Sequence, residues 1–195
     1  SLATALDSVG VGNRYVITPL DGPLSSLVSR EKVAQLVGIH RFFSMRLWVG
    51  SKGTRTPLHQ DFPHNLLLQC EGEKRFWLAP PGAGPLLGRN SRFSRAPNFA
   101  RADLESMTPP KGDGTEQGAA KIYGCTLQAG QALYIPPGWW HQVRSESAGT
   151  SINIWFADGL RAWLAGWSQR YAALRSLRPR PVQNCVKSAD TPAKA

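Results

Sequence analysis

Glycine and proline interrupt this chain so often that no long regular element fits between Arg46 and Phe156. The stretches left over are short, apolar and rich in β-branched and aromatic residues. Arg46-Leu47-Trp48-Val49-Gly50 stops at the turn residues Ser51-Lys52-Gly53. Asn65–Cys70 and Arg75–Leu78 flank Glu71-Gly72-Glu73-Lys74, which reads as a hairpin with a short glycine turn. Ile122–Leu127, the turn Ala129-Gly130-Gln131, Ala132–Pro136 and Ser151–Phe156 follow. Turns recur roughly every ten residues, and a chain cut in that way buries its apolar side chains between strands. The expected class is mainly β, a sandwich or barrel with flanking helices.

A chain of 195 residues has room for one domain with a sizeable core, expected here over residues 1–178. A helix is expected from Ser25 to Val37, with Leu27, Val28 and Leu36 on its apolar side. Residues 82–120 are rich in Gly, Pro, Ser and Arg without a clean period, and read as a long irregular insertion. Leu160, Trp163, Leu164, Trp167, Tyr171 and Leu174 follow helical spacing, so an amphipathic C-terminal helix is expected over 159–177. It either caps the barrel or forms a homodimer interface. A flexible basic tail, 179–195, comes after it.

Two function classes lose ground at once. The uncharged stretch Phe76–Gly88 carries Pro80, Pro81 and Pro85 and cannot cross a bilayer as a regular helix, so no membrane is expected. Cys70, Cys125 and Cys185 are widely spaced and form no CxxC, which argues against a disulfide scaffold. An intracellular, reducing compartment is the simpler expectation, cytoplasmic or organellar after loss of a targeting peptide.

Four histidines are present: His40, His59, His64 and His141. His59-Gln60-Asp61 sets an imidazole and a carboxylate two residues apart, and an extended backbone points both to one face. His141 follows Tyr134-Ile135-Pro136-Pro137-Gly138-Trp139-Trp140. Two histidines and one carboxylate on a β scaffold suit non-haem Fe(II), leaving open positions for a chelating cosubstrate and O2. An isolated H-x-D is common, and His40 and His64 read as structural or surface residues.

The residues around these positions narrow the choice. The stretch Trp48 to Asp61, the stretch Asn65 to Arg75 with Pro80-Pro81 after it, and the stretch Leu127 to His141 together resemble the JmjC family of Fe(II)/2-oxoglutarate oxygenases. The likeness covers residues 46–81 and 121–157 and is nearest to the small hydroxylase branch, with the asparaginyl hydroxylase of hypoxia-inducible factor and the arginyl hydroxylases. It implies a double-stranded β-helix, the jelly roll of the cupins. It also implies Fe(II) on His59, Asp61 and His141, with 2-oxoglutarate and O2 as cosubstrates. Lys74 matches the lysine that pairs with the far carboxylate of 2-oxoglutarate; alone it would read as an exposed turn lysine. Thr56 matches a hydroxyl donor to that carboxylate, and Asn65 an amide lining the cosubstrate pocket. Asn153 matches an amide near the metal, Trp48 a tryptophan at the pocket edge, and Tyr15 an upstream tyrosine that reaches the cosubstrate.

The implied reaction hydroxylates an unactivated C–H, foremost on a protein or peptide side chain, and releases succinate and CO2. A tRNA-base hydroxylase, which would bring RNA as partner, and a small-molecule hydroxylase are the alternative enzymes. A cupin-like scaffold without activity is the non-enzyme alternative.

The net charge of +10 first suggests a polyanion partner. Its distribution weakens that reading. Seven basic residues and only Asp190 as acid lie in residues 160–195, and Arg89, Arg92, Arg95 and Arg101 have no acid among them. The charge belongs to the insertion and the tail, which suggests an acidic substrate or surface.

Overall fold

The β-formers between the turns build nine strands among the residues that the computed structural model describes, 15–20, 26, 28–38, 42–107 and 121–157. In chain order these are β1 (Tyr15–Pro19), β2 (Phe42–Gly50), β3 (Arg55–Gln60), β4 (His64–Glu71), β5 (Glu73–Ala79), β6 (Tyr123–Gln128), β7 (Ala132–Ile135), β8 (Trp140–Ser145) and β9 (Gly149–Phe156). They form a five-stranded sheet, β1-β2-β9-β4-β7, and a four-stranded sheet, β3-β8-β5-β6. Every pairing is antiparallel, and β2 meets β9, β3 meets β8, β4 meets β7 and β5 meets β6. A long ribbon folded over on itself pairs its strands in that nested way, and the result is a jelly roll.

Strand alternation sends one set of side chains between the sheets and the other outward. Leu67, Phe76 and Leu127 fill the space between the sheets. The outer face of the five-stranded sheet is also buried: Met45, Ile152, Ile154 and Phe156 pack with Leu20 and Val33. Val33 comes from helix α1 (Arg30–Val37). The helix starts five residues later than the sequence suggested, because Ser29 is a good cap whose Oγ accepts from the Lys32 N–H at 3.2 Å. It stops at Gly38, which takes the left-handed conformation with φ 67°.

The expected hairpin around Gly72 does not form. Both edges of β4 are occupied, by β9 and β7, and both edges of β5 by β8 and β6. Gly72 therefore carries the chain from one sheet to the other. Its φ is +76°, and a Cβ there would sit 2.2 Å from the Ala148 carbonyl oxygen, so only glycine fits the crossing.

The first part of the expected insertion, residues 81–107, lies over the outer face of the four-stranded sheet. Ala83, Leu87 and Leu104 join Leu58, Trp77, Ala79 and Trp140 in one buried cluster. A short helix, α2 (Leu104–Met107), is tied down by Gln142, which accepts from the Leu104 N–H at 2.9 Å and donates to Asp103 at 2.6 Å. Arg144 bonds Glu105 and Glu146, and Arg55 bonds Glu105 at 2.7 Å. Residues 98–100 also cover the free edge of β3, with Gln60 N–H to Asn98 O at 2.9 Å and Ala100 N–H to Leu58 O at 3.0 Å. Irregular backbone here serves as cover for a sheet. No helix among the described residues is long and apolar enough to cross a membrane. The expected C-terminal helix, the tail, His40 and Cys185 lie outside the described residues.

Candidate metal centre

β3 carries a bulge. Thr56 pairs with Val143 and His59 with His141, so one extra residue sits on β3 between them. Residues three apart on a regular strand face opposite ways; the bulge turns Thr56 and His59 to the same side. Both line a cavity between the sheets of about 390 Å³, counting the solvent at its mouth. Asp61 follows just past the strand, its carbonyl accepting from the Gly138 N–H at 2.7 Å. Gly138 has φ +77°, part of the turn that delivers β8 and His141.

His59, Asp61 and His141 come together at this cavity, one ligand atom of each within 4.8 Å of the others. The rings of the two histidines lie 4.1 Å apart. Nδ1 of His59 is 2.8 Å from the Pro57 carbonyl, and Nδ1 of His141 is 3.1 Å from that of Trp139. A carbonyl only accepts, so each neutral ring carries its proton on Nδ1 and leaves an Nε2 lone pair for a metal. Burial holds the His141 pKa down to about 4, with His59 adding to the effect against Asp61 and the Trp139 carbonyl. Burial alone would raise Asp61, yet His141, His59 and the hydrogen bonds from Trp155 and Asn65 hold its carboxyl below the ordinary value. The cluster thus offers two imidazole nitrogens and one carboxylate, the donor set that fits Fe(II) with positions left open.

Asp61 is held from two sides. Trp155 donates its indole N–H to Oδ2 at 3.0 Å, and Asn65 donates its amide to the same oxygen at 3.2 Å. Asn153 donates in turn to the Asn65 oxygen at 2.9 Å, which fixes which way the Asn65 amide faces. Asn65 and Asn153 are both expected site residues and both line the cavity.

Lys74 and Thr56 line the same cavity. Lys74 Nζ donates to Ser151 Oγ at 2.5 Å. It makes no ion pair with a described residue, and burial lowers its pKa to about 8, with Cys70 opposing. A cation in that position is ready for an external anion. Trp48 also lines the cavity, and its indole N–H is buried without an acceptor among the described residues. Tyr15 is not among the residues that line the cavity. It packs on Trp48, which does line the cavity, with ring centroids 5.2 Å apart. His64 bonds the Tyr134 hydroxyl at 2.6 Å and stacks on Phe156, a packing role as expected.

Trp155, Ser151 and Phe99 were not anticipated. Trp155 lies two residues after Asn153 on β9 and shares its face, a signal the period of two could have supplied. Phe99 stacks on His59 at 5.3 Å from a segment without periodicity, and no sequence pattern pointed to it.

The cupin-like domain family matches residues 20–161. The chain is 40% identical over 115 residues to Jumonji C domain-containing protein 5 of Drosophila melanogaster, covering 57% of this chain and 27% of that one. It is 36% identical over 125 residues to lysine-specific demethylase JMJ30 of Arabidopsis thaliana, covering 63% and 28%. The chain thus spans little more than a quarter of the length of these relatives. The structure of E. coli ycfD covers 85% of this chain and 40% of its own, with TM-score 0.45 and 18% identity. The nested strand pairing and the matched span, which takes in every cavity residue from Trp48 to Trp155, agree: this chain belongs to the cupin-like family, in its JmjC form.

Proposed function

We propose that this domain is an Fe(II)- and 2-oxoglutarate-dependent oxygenase that hydroxylates a C–H bond on a protein side chain. One observation carries the reading: two histidines and a carboxylate converge at a cavity that also holds a buried lysine without an anionic partner among the described residues. His59, Asp61 and His141 would hold the iron. Lys74 would receive the far carboxylate of 2-oxoglutarate as a charge-assisted pair, with Thr56 beside it. The free indole N–H of Trp48 is a further donor at the same cavity. Trp155 and Asn65 fix the carboxylate of Asp61, and Leu67, Phe76, Ile135 and Val143 keep the cavity wall dry. Bound iron, 2-oxoglutarate and O2 supply the oxidising chemistry that turns C–H into C–OH with release of succinate and CO2.

The relative from Arabidopsis is named a lysine-specific demethylase, and the same chemistry on an N-methyl group begins a demethylation. Incubation of the iron-loaded protein with 2-oxoglutarate and cell extract separates the two readings by mass. Side-chain hydroxylation adds one oxygen to a peptide, whereas demethylation removes a methyl group. Absence of any 2-oxoglutarate-dependent succinate release, with or without extract, would overturn the oxygenase reading.

A further inference from the structure

Residues 91–97 form a small internally bonded loop that rises from the segment whose Phe99 stacks on His59. Its base is closed by Asn90 N–H to Phe99 O at 2.8 Å and by the bridge between Arg89 and Ala100. Phe99 lies on the ring of His59, so this base is part of the site's rim. Within the loop, Ser94 N–H bonds Ser91 O at 2.9 Å, and Asn90 donates its side-chain amide to Ala96 O at 3.0 Å. The serine hydroxyls accept from the Phe93 and Ala96 N–H groups, both at 3.3 Å.

This internally bonded loop exposes its largest apolar side chain. Phe93 is 82% exposed, and the Arg92 guanidinium lies over its ring at 4.8 Å. Arg89, Arg92, Arg95 and Arg101 are all exposed, and none makes an ion pair with a described residue. The nearest acids in sequence, Asp103 and Glu105, are engaged by Arg55, Gln142 and Arg144. An exposed phenyl ring under one guanidinium, on a loop that carries three further exposed arginines, matches an apolar side chain flanked by carboxylates. A nucleic-acid track matches less well, because successive bases need successive aromatic platforms, and Arg92 already lies over this ring.

We infer that the Arg89–Arg101 loop docks an acidic segment of the protein substrate, with Phe93 as the apolar anchor. The inference rests on the oxygenase reading for what the docked peptide is delivered to. Phe93 is three residues from Asn90, a reach of at most about 11 Å, and Asn90 pairs with the residue stacked on His59. An extended peptide covers that span in about three residues. The acidic segment therefore docks a few residues along the chain from the residue that is modified.

The test uses fluorescein-labelled peptides and the full chain. One peptide alternates glutamate with leucine, a second replaces glutamate by glutamine, and the third probe is single-stranded RNA of similar length. The acidic peptide should bind at least tenfold more tightly than the glutamine peptide. Phe93→Ala and Arg92→Glu/Arg95→Glu should each remove most of that advantage while melting as the parent does. Equal binding of both peptides, or unchanged binding by both variants, overturns the inference. RNA binding that exceeds peptide binding and is lost in the charge-reversed variant also overturns it, and assigns the loop to nucleic acid. Binding of 2-oxoglutarate by the unaltered protein with Mn(II), measured separately, decides the oxygenase reading alone.

Discussion

Trp155 donates its indole N–H to Oδ2 of Asp61 across 94 residues of chain, at 3.0 Å. The bond joins β9 of one sheet to the end of β3 of the other. The indole is not itself a candidate ligand, so its contribution is to hold Asp61 still. Trp155→Phe keeps the ring and removes the donor. Metal affinity should fall about 10- to 100-fold, the usual effect of losing a group that orients a ligand. Titration with Mn(II) followed by electron paramagnetic resonance checks this, and Asn65→Ala should act in the same direction.

Removing a ligand should do more. His59→Ala and Asp61→Ala are each expected to weaken Mn(II) binding by roughly a hundredfold or beyond, past the upper end for orienting groups. Succinate release should disappear with it. Circular dichroism should stay native, since neither side chain belongs to a buried apolar cluster. Full retention of metal by both variants would sink the assignment of the centre.

Lys74 makes cosubstrate binding depend on pH. Its pKa of about 8 in the free protein rises when a carboxylate arrives, because the anion favours the charged form. Below pH 8 the lysine is already protonated and affinity is flat. Above pH 8 binding must take up a proton, so affinity for 2-oxoglutarate falls by up to about tenfold per pH unit. Calorimetry in two buffers of different ionisation enthalpy should show proton uptake at pH 9 and almost none at pH 6.5.

His141 sets an acid limit on the metal-free fold. Its pKa lies at about 4 in the folded chain against an ordinary 6.5, so the unfolded chain binds more protons between those values. Stability should hold above pH 6.5 and decline as pH falls toward 4. Thermal melts across that window read the decline directly. A stability that rises on acidification through the window would contradict it.

Gly72→Ala should be among the most damaging single-methyl additions. The new Cβ would meet the Ala148 carbonyl at 2.2 Å while the backbone stays at φ +76°. A loss of about 3 kcal/mol is expected, which lowers Tm by roughly 6–12 °C in a chain of this size. Gly130→Ala is the control, because it shares a positive φ but meets nothing within 4 Å.

The cavity residues were legible where chemistry and spacing coincide. His59 and Asp61, two apart in sequence, reach one cavity, and Lys74 follows from a family likeness the sequence carries plainly. Strand partners were not legible. Glu71-Gly72-Glu73-Lys74 has the composition of a hairpin turn, and nothing local says that β4 and β5 already have other neighbours on both edges. The bulge between Thr56 and His59 was equally silent, since it is defined only by the register against β8. Phe99 and the cover that residues 81–107 lay over the four-stranded sheet depend on tertiary packing without a period, so propensity had nothing to detect.

The nested pairing has a consequence for how the protein is made. His59 and His141 face each other because β3 waits for β8, and the chain between them must be synthesised and folded back first. A partly made chain that has emerged only through β5 offers His59 and Asp61 but no third ligand. A metal ion met at that stage would find only two of the three donors. The strand order withholds the third ligand until β8 has paired with β3, so a complete donor set certifies that this part of the barrel has closed.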